Sequence, residues 1–210
     1  MALVGPALKG GKFVKKTLTL LCFFALCSLT LLAQTLEPAV TLKPIYNNLG
    51  SSKTDRYDDT RGLAVLGPNS CCGTQSDAMA FTPKSNSTVY QVQVAVVYNG
   101  GANQVNLSLY EDSGGNPGTL LAGPVTVTNL GQQGTCCTLA VANFTPVAIT
   151  GGSQYWVVAD TPLSGTGSDF NGSWEFAIQT TPPYSVNLGT GWSFVPSLSE
   201  LAGKVLGTIQ

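Results

Sequence analysis

Side chains on a pleated strand point alternately to its two faces, so a strand with one wet face shows a two-residue hydrophobic period. The stretch Thr88–Leu121, TVYQVQVAVVYNGGANQVNLSLYEDSGGNPGTLL, keeps that period over most of its length. Tyr90, Val92, Val94, Val96 and Tyr98 alternate with Gln91, Gln93 and Ala95. Val105, Leu107 and Leu109 then alternate with Asn106, Ser108 and Tyr110. The residues between, Asn99-Gly100-Gly101-Ala102-Asn103, tolerate positive φ and predict a hairpin turn. Gly114-Gly115-Asn116-Pro117-Gly118 predicts a second reverse turn.

The rest of the chain repeats this grammar. Short strands are predicted near Gly62–Gly67, Ala78–Phe81, Pro124–Leu130, Leu139–Val141, Gly191–Val195 and Lys204–Ile209. Ser153–Ala159, SQYWVVA, is apolar on both faces, which predicts a central strand covered on both sides. In Ser173–Gln179, Trp174, Phe176 and Ile178 share one face. About a dozen short strands separated by turn residues predict an all-β fold, an antiparallel two-sheet sandwich of jelly-roll-like form.

The domain is expected to occupy 45–210, after a segment 1–33 with the marks of a secretory signal peptide and a linker or edge strand at 34–44. Lys9, Lys12, Lys15 and Lys16 precede the apolar run Leu18–Ala33, and a cut is expected after Ala33. The alternative is an uncleaved anchor, the chain's only expected membrane contact. Without residues 1–33 the chain has six basic and eleven acidic residues, net charge −5. Charged residues are 10% of the sequence, against about 25% in an average soluble domain. Hydroxyls and amides take their place, as suits an extracytoplasmic β-protein, secreted, periplasmic or at the cell surface. With no basic surplus, nucleic acid is not an expected partner.

Four cysteines follow residue 33, as the doublets Cys71-Cys72 and Cys136-Cys137. In an exported chain such a count favours disulfides. Cross-links between the doublets would close about 65 residues, worth roughly 4 kcal/mol of loop entropy. Each doublet is followed by Phe-Thr-Pro, Phe81–Pro83 and Phe144–Pro146, and adjacent strands there would bring the doublets together. Cross-linking is therefore the expected pairing. Two vicinal bridges, or a four-thiolate zinc site without the usual C-x2-C spacing, are the alternatives.

There is no histidine, which removes Ser-His-Asp and Cys-His nucleophile systems and imidazole metal sites. No phosphate-cradling glycine loop, dinucleotide fingerprint or nucleophile elbow is present, and no cofactor is implied. Paired carboxylates remain the one enzymatic route, because a glycosidase needs only two acids at a set separation. The candidates are Glu111, Asp112, Asp160, Asp169 and Glu175. Asp55, Asp58 and Asp59 are weak calcium candidates, since Arg56 and Arg61 lie among them and no loop motif is matched. The outward face of the predicted hairpin displays Gln91, Gln93, Asn106, Ser108 and Tyr110. Amides match sugar hydroxyls and a ring stacks on a pyranose face, so this is the candidate glycan-binding face. Trp174 and Trp192 flank long loops and are added to it.

GPNSCCGTQSDAMAFTP, NLSLYEDSGGNPGTLLA, GTCCTLAVAN and GGSQYWVVAD together resemble the bacterial choice-of-anchor R domain over roughly Tyr46–Thr208. The resemblance implies an exported, surface-associated domain with no established activity, and it transfers no catalytic residue. Its members often end in a sorting or anchoring signal, and LAGKVLGTIQ carries none. The expected function is a non-catalytic binding or surface-structural module that recognises extracellular polysaccharide. A carboxylate-dependent glycan hydrolase is the alternative.

Overall fold

The computed structural model describes residues 40–178, 184–195 and 200–210; the expected signal segment 1–33 and residues 34–39 of the lead lie outside the described residues. The elements in chain order are β1 Lys43–Asn47, β2 Asp58–Leu66, β3 Ser76–Phe81, β4 Ser87–Val94, β5 Val96–Gly100, β6 Gln104–Asp112 and β7 Pro117–Thr128. They continue with β8 Ala140–Ile149, β9 Tyr155–Asp160, β10 Asn171–Phe176, β11 Tyr184–Asn187, β12 Trp192–Val195 and β13 Gly203–Ile209. The all-β expectation holds. The strands make three antiparallel sheets rather than the expected two, in the orders β1-β13-β4-β8, β2-β10-β5 and β12-β11-β3-β9-β6-β7.

The third sheet arises where a long strand changes partners. β4 and β5 form one extended run broken at Ala95, which is fully buried. Its N–H donates to Ala202 O at 3.0 Å and its carbonyl accepts from Glu175 N at 2.9 Å. Before Ala95 the run pairs with β13 and β8; after it, with β10. The expected hairpin between Tyr90–Tyr98 and Val105–Leu109 is therefore not formed. β6 belongs to the six-stranded sheet and pairs with β7 and β9. Of the predicted turn, Asn99 and Gly100 extend β5, and only Gly101–Asn103 bend, with Gly101 at a positive φ of 77°; the bend carries the chain between sheets. Ala102 N donates to Asp169 Oδ1 at 3.1 Å, and Asn103 Oδ1 accepts from Leu130 N at 2.8 Å. The second predicted turn does close a hairpin, β6–β7.

Within β4 the period slips once. A bulge between Val89 and Gln91 buries Val89 completely and leaves Tyr90 half-buried. β9 meets its expectation: Tyr155–Ala159 are all buried, between β3 and β6. The main core draws Val89, Val92 and Val94 from β4, Leu107 and Leu109 from β6, and Val157 and Ala159 from β9, together with Trp174 of β10. The four- and six-stranded sheets touch closely. A Cβ on Gly203 of β13 would lie 2.9 Å from Met79 Cε of β3, so that position admits only glycine without displacing the methionine.

Three sheet edges carry a proline: Pro44 in β1, Pro124 in β7 and Pro146 in β8. A proline removes an N–H that an incoming strand would need, so these edges are poor templates for edge-to-edge aggregation.

The cysteine expectation is overturned. Each doublet is bridged within itself, Cys71 to Cys72 and Cys136 to Cys137. The Phe-Thr-Pro echo fails because Phe81 lies in β3 of the six-stranded sheet and Phe144 in β8 of the four-stranded one, which are not neighbours. The doublets meet the chain at opposite ends of β2. Cys137 Sγ accepts from Arg56 N, just before that strand, at 3.4 Å. Cys71 Sγ accepts from the amide of Asn171, which is paired with Leu66 at its far end, at 3.5 Å.

Candidate functional site

Directly opposed residues of an antiparallel sheet project from the same face. In the six-stranded sheet the residues out of phase with the core therefore build rungs across the outer face. Trp192 of β12 stands opposite Asn187 of β11, and Asn187 opposite Ser76 of β3. Asp77 pairs with Ala159, which sets Ser76 beside Asp160 of β9. Asp160 is opposite Asn106 of β6, and Asn106 opposite Thr126 of β7. The result is a rung of amides, hydroxyls and one carboxylate with an indole at its end, spanning roughly 24 Å at the usual strand spacing. Thr126 Oγ1 donates to Asn106 Oδ1 at 2.9 Å. Burial pushes the Asp160 carboxyl up to about 6, although a hydrogen bond with Asn106 opposes the shift.

Beside this rung Tyr110 and Trp192 both pack on a small cluster of Ala78, Ala80, Trp156 and Val158. Burial, followed by the charge of Asp160, raises the Tyr110 hydroxyl above its ordinary range. The Ser113–Asn116 turn reaches across to β11: Ser185 Oγ donates to Asn116 Oδ1 at 3.0 Å. Asp112 holds that turn down. Its Oδ1 accepts from the Trp156 indole at 2.7 Å and from the Gln154 amide at 2.8 Å, and its Oδ2 from Gly115 N at 3.2 Å. Burial acts to raise the Asp112 carboxyl, but the bonds from Trp156, Gly115 and Gln154 prevail and hold it below its ordinary value. Asp112→Ala leaves the buried Trp156 N–H without its acceptor and is expected to cost about 2–3 kcal/mol. Thermal melting followed by tryptophan fluorescence checks this, and an unchanged midpoint would remove Asp112 from that role.

The candidate face of the sequence is thus divided. Asn106 and Tyr110 lie on this surface, and Ser108 shares the face but is only 1% exposed. Gln91 and Gln93 lie in the four-stranded sheet, where Gln93 Nε2 donates to Gln91 Oε1 at 2.6 Å and Gln91 Nε2 to Asn143 Oδ1 at 2.7 Å. They are separated from Asn106 because the hairpin that would have joined them does not exist. Trp192 comes to the rung; Trp174 does not. It is fully buried in the core, and its indole donates to Ala202 O at 2.9 Å. Ser76, Asn187 and Thr126 were missed. Their signal is that each falls out of phase with the core residues of its own strand, but nothing local says that those strands share a sheet.

Among the candidate acids, Asp112 sits at Trp156 and Asp160 four residues further along β9, about 13 Å at the rise of a strand. Glu111 and Asp112 line an open groove of about 380 Å³ with Ser153, Gln154 and Tyr155. Asp169 caps the Ala102 turn. Glu175 is fully buried behind the three-stranded sheet with Ser173, its hydrogen-bond partner. Asp58 is engaged by Arg61 at 2.6 Å and by Thr60 Oγ1 at 2.7 Å. The Thr60 hydroxyl, more than the Arg61 cation, holds its carboxyl below the ordinary value. Among the described residues Asp55, Asp58 and Asp59 do not gather into a cluster able to hold a metal ion.

Compared with protein-family models, with curated proteins and with solved structures, the chain matches none.

Proposed function

We propose that the protein is an exported, non-catalytic β-sandwich module that recognises extracellular polysaccharide on the outer face of its six-stranded sheet. The observation that carries this reading is the polar rung from Trp192 to Thr126, with Tyr110 beside it on the same apolar cluster. Amides and hydroxyls in line offer both donors and acceptors to sugar hydroxyls, and half-buried rings offer stacking faces. The basic and apolar N-terminal segment supports export. We read the three sheets as two layers of a jelly-roll-like sandwich, the four- and three-stranded sheets forming one bent layer through Ala95.

A glycan array on the secreted protein is the test, with Trp192→Ala and Asn106→Ala measured on any glycan retained. Each substitution is expected to weaken binding about tenfold, the equivalent of ~1.4 kcal/mol. A silent array, or variants that bind as tightly as the parent, would overturn the reading.

One observation favours the hydrolase alternative. Asp160, with its carboxyl pushed up to about 6 by burial, has the character of a proton donor and lies on the same face. Release of reducing sugar that is abolished by Asp160→Asn would establish that route.

A further inference from the structure

We propose that Cys71–Cys72 is a reversible thiol–disulfide exchange site on the protein surface, taking low-molecular-weight thiols as reductant and their disulfides as oxidant. A bridge between neighbouring residues closes the smallest of loops, so it constrains the unfolded chain far less than a long-range cross-link. Stability through chain entropy therefore does not account for either bridge, and packing has to be asked of each.

The two differ. Cys136 and Cys137 pack into a second apolar cluster with Tyr57, Ala95, Leu49 and Leu139, which gives that bridge a structural task. Cys71 and Cys72 are both exposed. The loop that carries them is already secured without the sulfurs. Leu66 and Gln75 exchange two backbone hydrogen bonds at its base, at 2.9 and 3.0 Å. Gly67 N donates to Phe170 O, and Asn69 N to Ser168 O, both at 2.8 Å. Opening the ring leaves these four backbone bonds in place, and the sulfur's own contact, from Asn171 Nδ2 to Cys71 Sγ at 3.5 Å, needs the sulfur and not the bridge.

Exchange requires a thiolate to reach a bridge sulfur. A thiolate attacks one sulfur, the Cys71–Cys72 bond breaks, and a mixed disulfide forms beside a free cysteine thiolate. A second thiolate attacks the small-molecule sulfur of the mixed disulfide and displaces the protein cysteine as a thiolate, so that two thiols are oxidised to one small disulfide while two protons and two electrons pass to the cysteine pair. The small disulfide drives the reverse step, with the second cysteine already adjacent for ring closure.

The experiment exposes the oxidised full chain to excess reduced glutathione, traps free thiols with N-ethylmaleimide and maps the labelled peptides. Cys71 and Cys72 are expected to label at least tenfold faster than Cys136 and Cys137, with unchanged far-ultraviolet dichroism. Glutathione disulfide is expected to restore the bridge. A Cys71→Ser/Cys72→Ser variant should lose the fast label and keep the parent melting temperature. Equal labelling of the two doublets, labelling only as the chain unfolds, or a variant that melts early would overturn the proposal.

Discussion

Trp174→Ala is expected to destabilise the protein by about 4 kcal/mol, the scale for removing a fully buried tryptophan. For a domain of this size that lowers the melting temperature by roughly 8–16 °C. The side chain has no exposed surface, and its strand neighbours, Leu63 and Val96, fix it from both sides. Most of the loss is the void, because the Ala202 carbonyl that accepts the indole N–H also accepts Ala95 N at 3.0 Å. Trp174→Phe, which retains much of the volume, should therefore cost clearly less. Neither substitution should alter binding on the outer face of the six-stranded sheet, whereas Trp192→Ala should do so with little effect on melting. A mild melting phenotype for Trp174→Ala would show that the indole is not the core element described above.

The second large effect is a fall in stability as pH rises. Asp77 has no exposed surface; Oδ1 accepts from Gln75 Nε2 at 3.2 Å, and Oδ2 has no hydrogen-bond partner among the described residues. Burial, only partly offset by Gln75, pushes its carboxyl from 3.8 up to about 8. The folded protein therefore keeps a proton that the unfolded chain releases above 3.8. Stability from this group is fully present below that value and is lost as pH rises toward about 8. Burial raises Glu200 to about 8 as well, so the two act in the same direction. For one group the loss between pH 5 and 8 is on the order of 4 kcal/mol, or roughly 10 °C in melting temperature. Asp77→Asn keeps the shape without the titration, so it should flatten the profile and melt above the parent at pH 9. A parent melting temperature that climbs from pH 5 to pH 9 would contradict the buried neutral acid.

These two residues also mark where reading along the chain stops. Trp174 falls in phase with Phe176, and that phase predicted a common face; which layer the face would meet was not written in the segment. Asp77 sits between Ser76 and Ala78 in SDAMAF, and nothing within those six residues tells a buried acid from an exposed one. The alternating stretch behaved in the same way. Its strands and most of its inward residues were legible, as were the SGGNPG turn and the two-sided burial of YWVVA. Its partners were not, because Ala95 hands the strand from one sheet to another through bonds to Ala202 and Glu175, residues far along the chain.

What the sequence alone determined is strand identity, the face most side chains take, the position of the central strand and the tight β6–β7 turn. All of these follow from backbone geometry that repeats every two residues or is set within a four-residue turn. What only the tertiary structure decided is which strands share a sheet, the closure of each cysteine doublet on itself, and the assembly of Trp192, Asn187, Asp160, Asn106 and Thr126 into one rung. Those outcomes depend on long-range pairing, in which strands with interchangeable patterns compete, and the packing of the whole core selects among them.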